Sequence, residues 1–380
     1  MKHLVFSLIL LLFFNSLFGQ TIKGNRSEFE FKGRIIGQEN GTVHLSYTND
    51  SSKYVNDSCI LKNGEFKFKG YIKEPSPAFF YGNRKSRSVD DPNCTDIYIE
   101  PNKIYATFKL DSLKYGQIVG SQSQQEFIFY TQQVRILENK WSLMFDAIKE
   151  AKLKNDTDRI DQIYANDLPI YRNQSDSLIL NFIKQFPKSC VSAQFLVYQS
   201  QKISTDSLKM FYALMSKNVQ QSYNGNRVKV FITKAEATKI GMHAPEFTLT
   251  DINGRIVNLK DFKGKYILLD FWASYCAPCR AEHPLFKKIY SKYQNKGFII
   301  ISVSMDTQDK KQDWIAAIKN DSLKWIQTCD FKGWSGEVVN MYNLYGKGIP
   351  SNFLINTNGL ILAKDLHGED LAKKLKELFN

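Results

Sequence analysis

A strongly apolar run, Tyr266 to Phe271, interrupted only by Asp270, is followed five residues later by Cys276-Ala277-Pro278-Cys279, and from Cys279 to Lys296 the pattern turns helical. A run of that length reads as a buried strand. A strand feeding a helix whose first turn carries two thiols leaves few folds open. At a helix N-terminus the unpaired backbone N–H groups and the positive end of the dipole stabilise a thiolate, which marks Cys276 as the exposed nucleophile. Cys279, one turn inside, is within disulfide reach of Cys276 yet shielded, as a resolving thiol needs to be.

The residues around this unit alternate strand and helix. Phe298 to Ser304 reads as a second buried strand, Gln312 to Lys319 as a helix, and Ser351 to Ile355 with Leu360 to Lys364 as a hairpin around Asn358-Gly359. Glu369 to Phe379 forms a final helix, and a shorter hairpin, Phe247 to Leu259, turns at Asn253-Gly254 ahead of the whole. The expected class for 240–380 is α/β, a central mixed sheet flanked by helices in a thioredoxin-like order.

Other uses of a Cys-x-x-Cys pair fit less well. A zinc site needs a second pair of ligands at workable spacing, and His243, His283 and Cys329 are scattered. Covalent haem attachment needs His directly after the second Cys, where this chain has Arg280. Ala273 stands where a peroxidatic site would carry Thr.

From Gly241 onward the chain resembles the TlpA/ResA-type thiol-disulfide oxidoreductases of the thioredoxin superfamily. The resemblance rests on Ala244-Pro245-Glu246-Phe247, Asp251 with Asn253-Gly254, Gly264-Lys265, Asp270-Phe271-Trp272-Ala273, Cys276 to Arg280, Glu282, Pro284, and Gly348 to Ile355. It implies a redox-active Cys276–Cys279 disulfide with no other cofactor, and a cis Pro350 facing the pair. It also implies a substrate groove shaped by Trp272, Tyr275, Ala277, Pro278, Ile349 and Pro350, with Ile349 offering its backbone to an extended segment. Asp270, at the end of an apolar strand, and Glu282, one turn after Cys279, are the two candidates to take the Cys279 proton. Tyr275 departs from the family, which usually has Trp before the nucleophile. Ala-Pro between the cysteines resembles reducing members more than strong oxidants. The implied partners are a disulfide-containing protein substrate and an upstream thiol electron donor, membrane-bound in such systems. Two rivals stay open: a peroxiredoxin-like peroxidase acting through Cys276, and a non-catalytic binding protein using the fold as a scaffold.

The remaining residues are too many for one domain, since the chain has 380 residues, 43% of them hydrophobic. Residues 1–19 read as a signal peptide: Lys2, an apolar stretch from Leu4 to Phe14, and Gly19 before a polar chain. Export to the periplasm or cell envelope follows, with retention as an N-terminal anchor the alternative. Residues 20–115 carry period-two alternation and Asn40-Gly41 and Asn63-Gly64 turns, which predicts a small antiparallel β domain. In it Cys59 to Leu61 and Phe66 to Phe68 read as hairpin arms, and Cys59 and Cys94 read either as a disulfide or as buried single thiols. This region resembles the small domain of unknown function, of the DUF4369 kind, that precedes such modules in Bacteroidetes-like exported proteins. Residues 116–239 have helical spacing. Phe127 to Ile148 reads as one long helix capped by Ser121, followed by helices from Asp167 to Phe186, Ser189 to Gln199 and Asp206 to Met215, and by a Tyr223-Asn224-Gly225 turn. The net charge of +13 comes from scattered lysines without the clustered Arg/Lys and aromatic interleaving of nucleic-acid readers, so no nucleic-acid partner is expected.

Overall fold

The computed structural model describes residues 27–379 apart from 87, 89, 90, 345 and 346. The signal-peptide reading lies outside the described residues. The chain divides into two compact units, one running to Gln199 with Ser207–Val228 added, the other comprising Ser200–Asp206 and the chain from Lys229 onward.

The first unit opens with eight strands: β1 (Ser27–Ile36), β2 (Thr42–Thr48), β3 (Tyr54–Ile60), β4 (Glu65–Ile72), β5 (Ser76–Tyr81), β6 (Cys94–Ile99), β7 (Lys103–Lys109) and β8 (Gln117–Val119). They form two four-stranded sheets, ordered β4-β1-β7-β8 and β3-β2-β5-β6. All pairings are antiparallel except β1 with β7. Alternate residues of each strand, among them Phe29, Phe31, Leu45, Phe66, Phe80 and Phe108, meet in one core. Asn63 and Gly64 do turn the chain, both at positive φ. The arms they join, β3 and β4, nevertheless belong to different sheets, so the expected hairpin is a crossing between layers. Cys59 and Cys94 are free thiols on β3 and β6, the opposite edges of one sheet. Three strand spacings of about 4.8 Å lie between them, far beyond disulfide reach.

Gly33 on β1 shows how closely the parallel pair packs. A Cβ there would lie 2.0 Å from the Ala106 carbonyl oxygen on β7. Gly33→Ala is expected to cost about 1–3 kcal/mol through forced backbone displacement, read as a lower denaturant midpoint of the N-terminal unit.

Helices α1 (Gln122–Lys140), α2 (Ser142–Leu153), α3 (Thr157–Gln185), α4 (Cys190–Gln199), α5 (Thr205–Leu214), α6 (Lys217–Gln220) and α7 (Tyr223–Ala237) follow. The Ser121 side chain caps α1 by accepting the Gln124 N–H. The expected single helix breaks at Trp141, whose indole donates to Gln174 on α3 at 2.9 Å and packs edge-on against Tyr171. Turning there lets α1 and α2 both lie on α3. α3 starts ten residues before Asp167, capped by Asp156, and runs through Pro169. Tyr223-Asn224-Gly225 is the first turn of α7 rather than a loop. Glu74 Oε2 accepts the Tyr223 N–H at 2.7 Å, and Gly225 is needed because a Cβ would sit 2.0 Å from the Val219 carbonyl.

In the second unit β9 (Thr248–Thr250) and β10 (Ile256–Asn258) form the short hairpin. Then come β11 (Tyr266–Trp272), α8 (Ala277–Tyr293), β12 (Phe298–Ser304), α9 (Lys311–Asn320), β13 (Ile326–Cys329), α10 (Glu337–Met341), β14 (Ser351–Ile355), β15 (Ile361–Lys364) and α11 (Gly368–Phe379). The five-stranded sheet is ordered β13-β12-β11-β14-β15, with β11, β12 and β13 parallel and β14 and β15 antiparallel. This is the expected thioredoxin-like mixed sheet with one added edge strand, β13, and one added short helix, α10. β11 is central, so its end is where the sheet presents the dithiol.

Candidate active site

β11 ends at Trp272, and Ala273-Ser274-Tyr275 bridge to Cys276, the N-cap of α8. That loop is held from beneath by Asp306, a fully buried carboxylate just past the end of β12. It accepts the Ser274 N–H at 2.9 Å and the Ser274 hydroxyl at 2.6 Å, and also the Ser304 hydroxyl. Charge-assisted bonds of this kind are strong in a dry site, so the residue two before Cys276 has little freedom.

Cys276 and Cys279 are joined in a disulfide. Cys276 Sγ accepts the Cys279 N–H at 3.2 Å, satisfying one of the orphan donors of the helix start. The expected exposure of Cys276 is not found: it is 7% exposed and Cys279 3%. Bonded to each other, both cysteines are buried, and the exposed rim is made by Tyr275, Ala277 and Pro278. Tyr275 is 57% exposed, and its hydroxyl bonds the Trp334 side chain. Trp272, expected in the substrate groove, is fully buried; its ring meets His283 edge-on at 5.0 Å and lines the core beneath the site. Ile349–Pro350 is a cis peptide bond, and both residues are half-buried. Ser351 pairs with Phe271, so Pro350 stands at the Trp272 end of the sheet, the end from which the Cys loop departs.

The two expected proton acceptors differ in setting. Asp270, on β11, is sealed in the core and accepts the Ser302 hydroxyl at 2.8 Å, while Trp325 donates to the same Ser302 oxygen at 2.9 Å. Burial pushes its carboxyl up to about 7, Ser302 opposes the shift, and the charge of Glu282 adds to it. Glu282, on α8, is split between its oxygens. Oε1 is 2.8 Å from His367 Nδ1, and Oε2 is buried without a partner.

A second cluster pins the first turns of α8. Arg280 forks onto both oxygens of Asp321, the C-cap of α9, at 2.9 and 2.7 Å, and His283 Nδ1 lies 2.8 Å from Asp321 Oδ2. Arg280 holds the Asp321 carboxyl below its ordinary range, and burial pushes the His283 imidazole down. Neutral His283 therefore donates Nδ1–H to the carboxylate. Outside the pair, burial raises the thiols of Cys94 and Cys329 to about 11 and that of Cys190 to about 12, which leaves them unreactive.

The sequence reading missed Asp306, Asp321 and His367. A carboxylate directly after the Ser302-Val303-Ser304-Met305 run, at the C-terminal end of a buried parallel strand, is the one signal that pointed to Asp306, because sites gather at such strand ends. Nothing local marks His367 as the partner of a residue 85 positions away.

Fold and bonded cysteine pair together define a thioredoxin-like protein disulfide oxidoreductase. Residues 240–364 match the AhpC/TSA family model, and residues 29–127 match the model of a domain of unknown function, DUF4369. The thiol-disulfide oxidoreductase ResA of Bacillus thuringiensis subsp. konkukian is 37% identical over 150 residues, covering 39% of this chain and 80% of that protein. ResA of Geobacillus thermodenitrificans is 30% identical, covering 39% and 83%. The thioredoxin domain of a thiol-disulfide oxidoreductase from Bacteroides vulgatus is 38% identical, covering 37% of this chain and 99% of that one, with a TM-score of 0.35. The chain belongs to the ResA-like thiol-disulfide oxidoreductase family.

Proposed function

We propose that the protein is an exported reductase of protein disulfides. The observation that carries this reading is the bonded Cys276–Cys279 pair at the start of α8, with the buried Asp270 on the preceding strand and the half-buried Glu282 one turn along the helix. In the reduced protein the Cys276 thiolate attacks a substrate sulfur, forming a mixed disulfide and releasing the other substrate sulfur as a thiolate that takes up a proton. Cys279 gives its proton to Glu282 or Asp270, its sulfur attacks Cys276, and the second substrate sulfur leaves. Two electrons pass from the dithiol to the substrate, and an upstream thiol donor returns them. Tyr275, Ala277 and Pro278 offer the substrate-facing rim, and Ile349 offers its backbone beside Pro350. Residues 1–19 direct the chain out of the cytoplasm, and an envelope location is where disulfide substrates persist.

The test is the reduction potential of the pair, by equilibration of the mature protein with glutathione or dithiothreitol. A value near thioredoxin's, about −270 mV, is expected for a reductase; one near about −120 mV would make the protein an oxidant instead. The absence of any reversible two-electron couple would defeat the enzymatic reading.

A further inference from the structure

We propose that His367 is the solvent-facing end of a proton exit from Cys279, acting through Glu282. The inference rests on the reading of Glu282 as an acceptor of the Cys279 proton. Resolution of the mixed disulfide takes one proton off Cys279, and reduction of the Cys276–Cys279 disulfide returns one to it, so a path between this thiol and water serves both halves of the cycle. Asp270 is sealed from solvent, and Glu282 Oε2 is buried. Glu282 Oε1, however, ends on His367 Nδ1 at 2.8 Å, and the His367 side chain is 39% exposed.

His367 is built into this place. It lies between β15 and α11, and the residue before it is clamped from both sides by one side chain: Asn352 Nδ2 donates to the Leu366 carbonyl at 2.7 Å and Asn352 Oδ1 accepts the Leu366 N–H at 3.0 Å. Asn352 is fully buried on β14 and pairs in register with Asp270. The strand beside the buried acid therefore also fixes the backbone that carries the histidine. The ionisable residues on its own segment are Asp365, tied to the Ser351 hydroxyl, and Glu369 and Asp370 at the start of α11; from α8 the facing group is Glu282.

Glu282 and Cys279 are one turn apart on α8, so their side chains are neighbours. The thiol proton moves to the Glu282 carboxylate, and a half-turn of the carboxyl brings it to His367 Nδ1. The imidazolium then releases a proton from Nε2 to water. The ring enters this sequence with its proton on Nε2 and leaves it with its proton on Nδ1, donated to the re-ionised Glu282. Reduction of the Cys276–Cys279 disulfide, which returns a proton to Cys279, runs the path in reverse and restores the starting tautomer.

The test uses dithionitrobenzoate as the disulfide substrate for the reduced full-length protein carrying Cys59→Ser, which removes the partly exposed free thiol. Attack by Cys276 releases one thionitrobenzoate, and attack by Cys279 releases the second, so the two steps appear as separate phases. His367→Gln keeps a hydrogen-bond donor toward Glu282 but cannot relay a proton. We expect it to leave the first phase unchanged and slow the second roughly tenfold or more, toward the lower end of what positioned acid–base groups supply. In His367→Ala, added imidazole should restore the second phase in proportion to its concentration. A wild-type second phase in His367→Gln would overturn the relay, because a donor alone would then suffice. Lack of imidazole rescue in a folded His367→Ala would overturn it too. Failure of the underlying reading looks different: the wild-type protein itself would show no second phase, or Glu282→Gln would leave that phase unchanged.

Discussion

Cys276→Ser is expected to reduce disulfide exchange to the uncatalysed background, while Cys279→Ser stops the reaction halfway and accumulates a covalent adduct with the substrate. The asymmetry follows from the helix start. Cys276 occupies the N-cap of α8, where unpaired N–H groups stabilise its thiolate, and Cys279 lies inside the first turn, able to reach only the sulfur next to it. Removing a nucleophile on which every later step depends commonly costs several orders of magnitude, roughly 10⁴ or more. The adduct would be read by mass spectrometry of the non-reduced protein and released by dithiothreitol. With the partly exposed Cys59 replaced by Ser in both variants, Cys94, Cys190 and Cys329 give a quiet background, burial holding their thiols well above neutral pH. Adduct formation by Cys276→Ser, or comparable turnover in both variants, would remove Cys276 from the nucleophile's place.

Asp270→Asn is expected to stabilise the C-terminal unit at alkaline pH while slowing the second chemical step. The folded carboxyl titrates at about 7, against about 3.9 for an ordinary Asp. Between those values the folded chain keeps a proton that the unfolded chain gives up. Stability from this group is therefore fully present below about pH 4, falls as pH rises, and is lost above about pH 7. At about 1.4 kcal/mol per unit the full penalty is of order 4 kcal/mol. Asparagine has no charge to desolvate and can still accept the Ser302 hydroxyl, so the difference in melting temperature between variant and wild type should grow from pH 5 to pH 8. Wild-type stability that does not decline relative to the variant across this range would mean that Asp270 is not held protonated. On the kinetic side, loss of one of two acceptors should slow release of the second thiol product by roughly tenfold to a hundredfold, with Glu282 carrying the remainder.

The parts of this site that were legible in the sequence are those written locally. The strand before Cys276, the three-residue step to Cys279 and the Asp270-to-Cys276 interval are all short-range patterns, and each has its counterpart in β11, the loop and α8. The supports were not legible because each is a meeting of distant residues: Asp306 with Ser274, Asp321 with Arg280 and His283, His367 with Glu282. The same limit governs the fold. Asn63-Gly64 announces a turn correctly, yet a turn signal cannot say whether its two arms stay in one sheet. Periodicity from Phe127 to Ile148 continues across Trp141 because both helices bury the same stripe, and only Gln174 and Tyr171 on α3 reveal the break. β13, four residues long, and α10, five, are too brief for either period to emerge.

The parallel partnership of β1 with β7 bears on the order in which the N-terminal unit forms. β1 pairs on one side with β4 and on the other with β7, placing Phe31 opposite Phe68 and Ile104. As the chain is made, β1 thus waits for two partners, the second arriving only when synthesis has reached Lys109. Until then its β7 edge stays unpaired, with Phe29 and Phe31 short of their full cover. Such long-range closure is slow, and an open apolar edge invites pairing with other chains. The N-terminal unit thus passes through a stage at which shielding of the β1 edge would favour its own pairing over pairing with other chains.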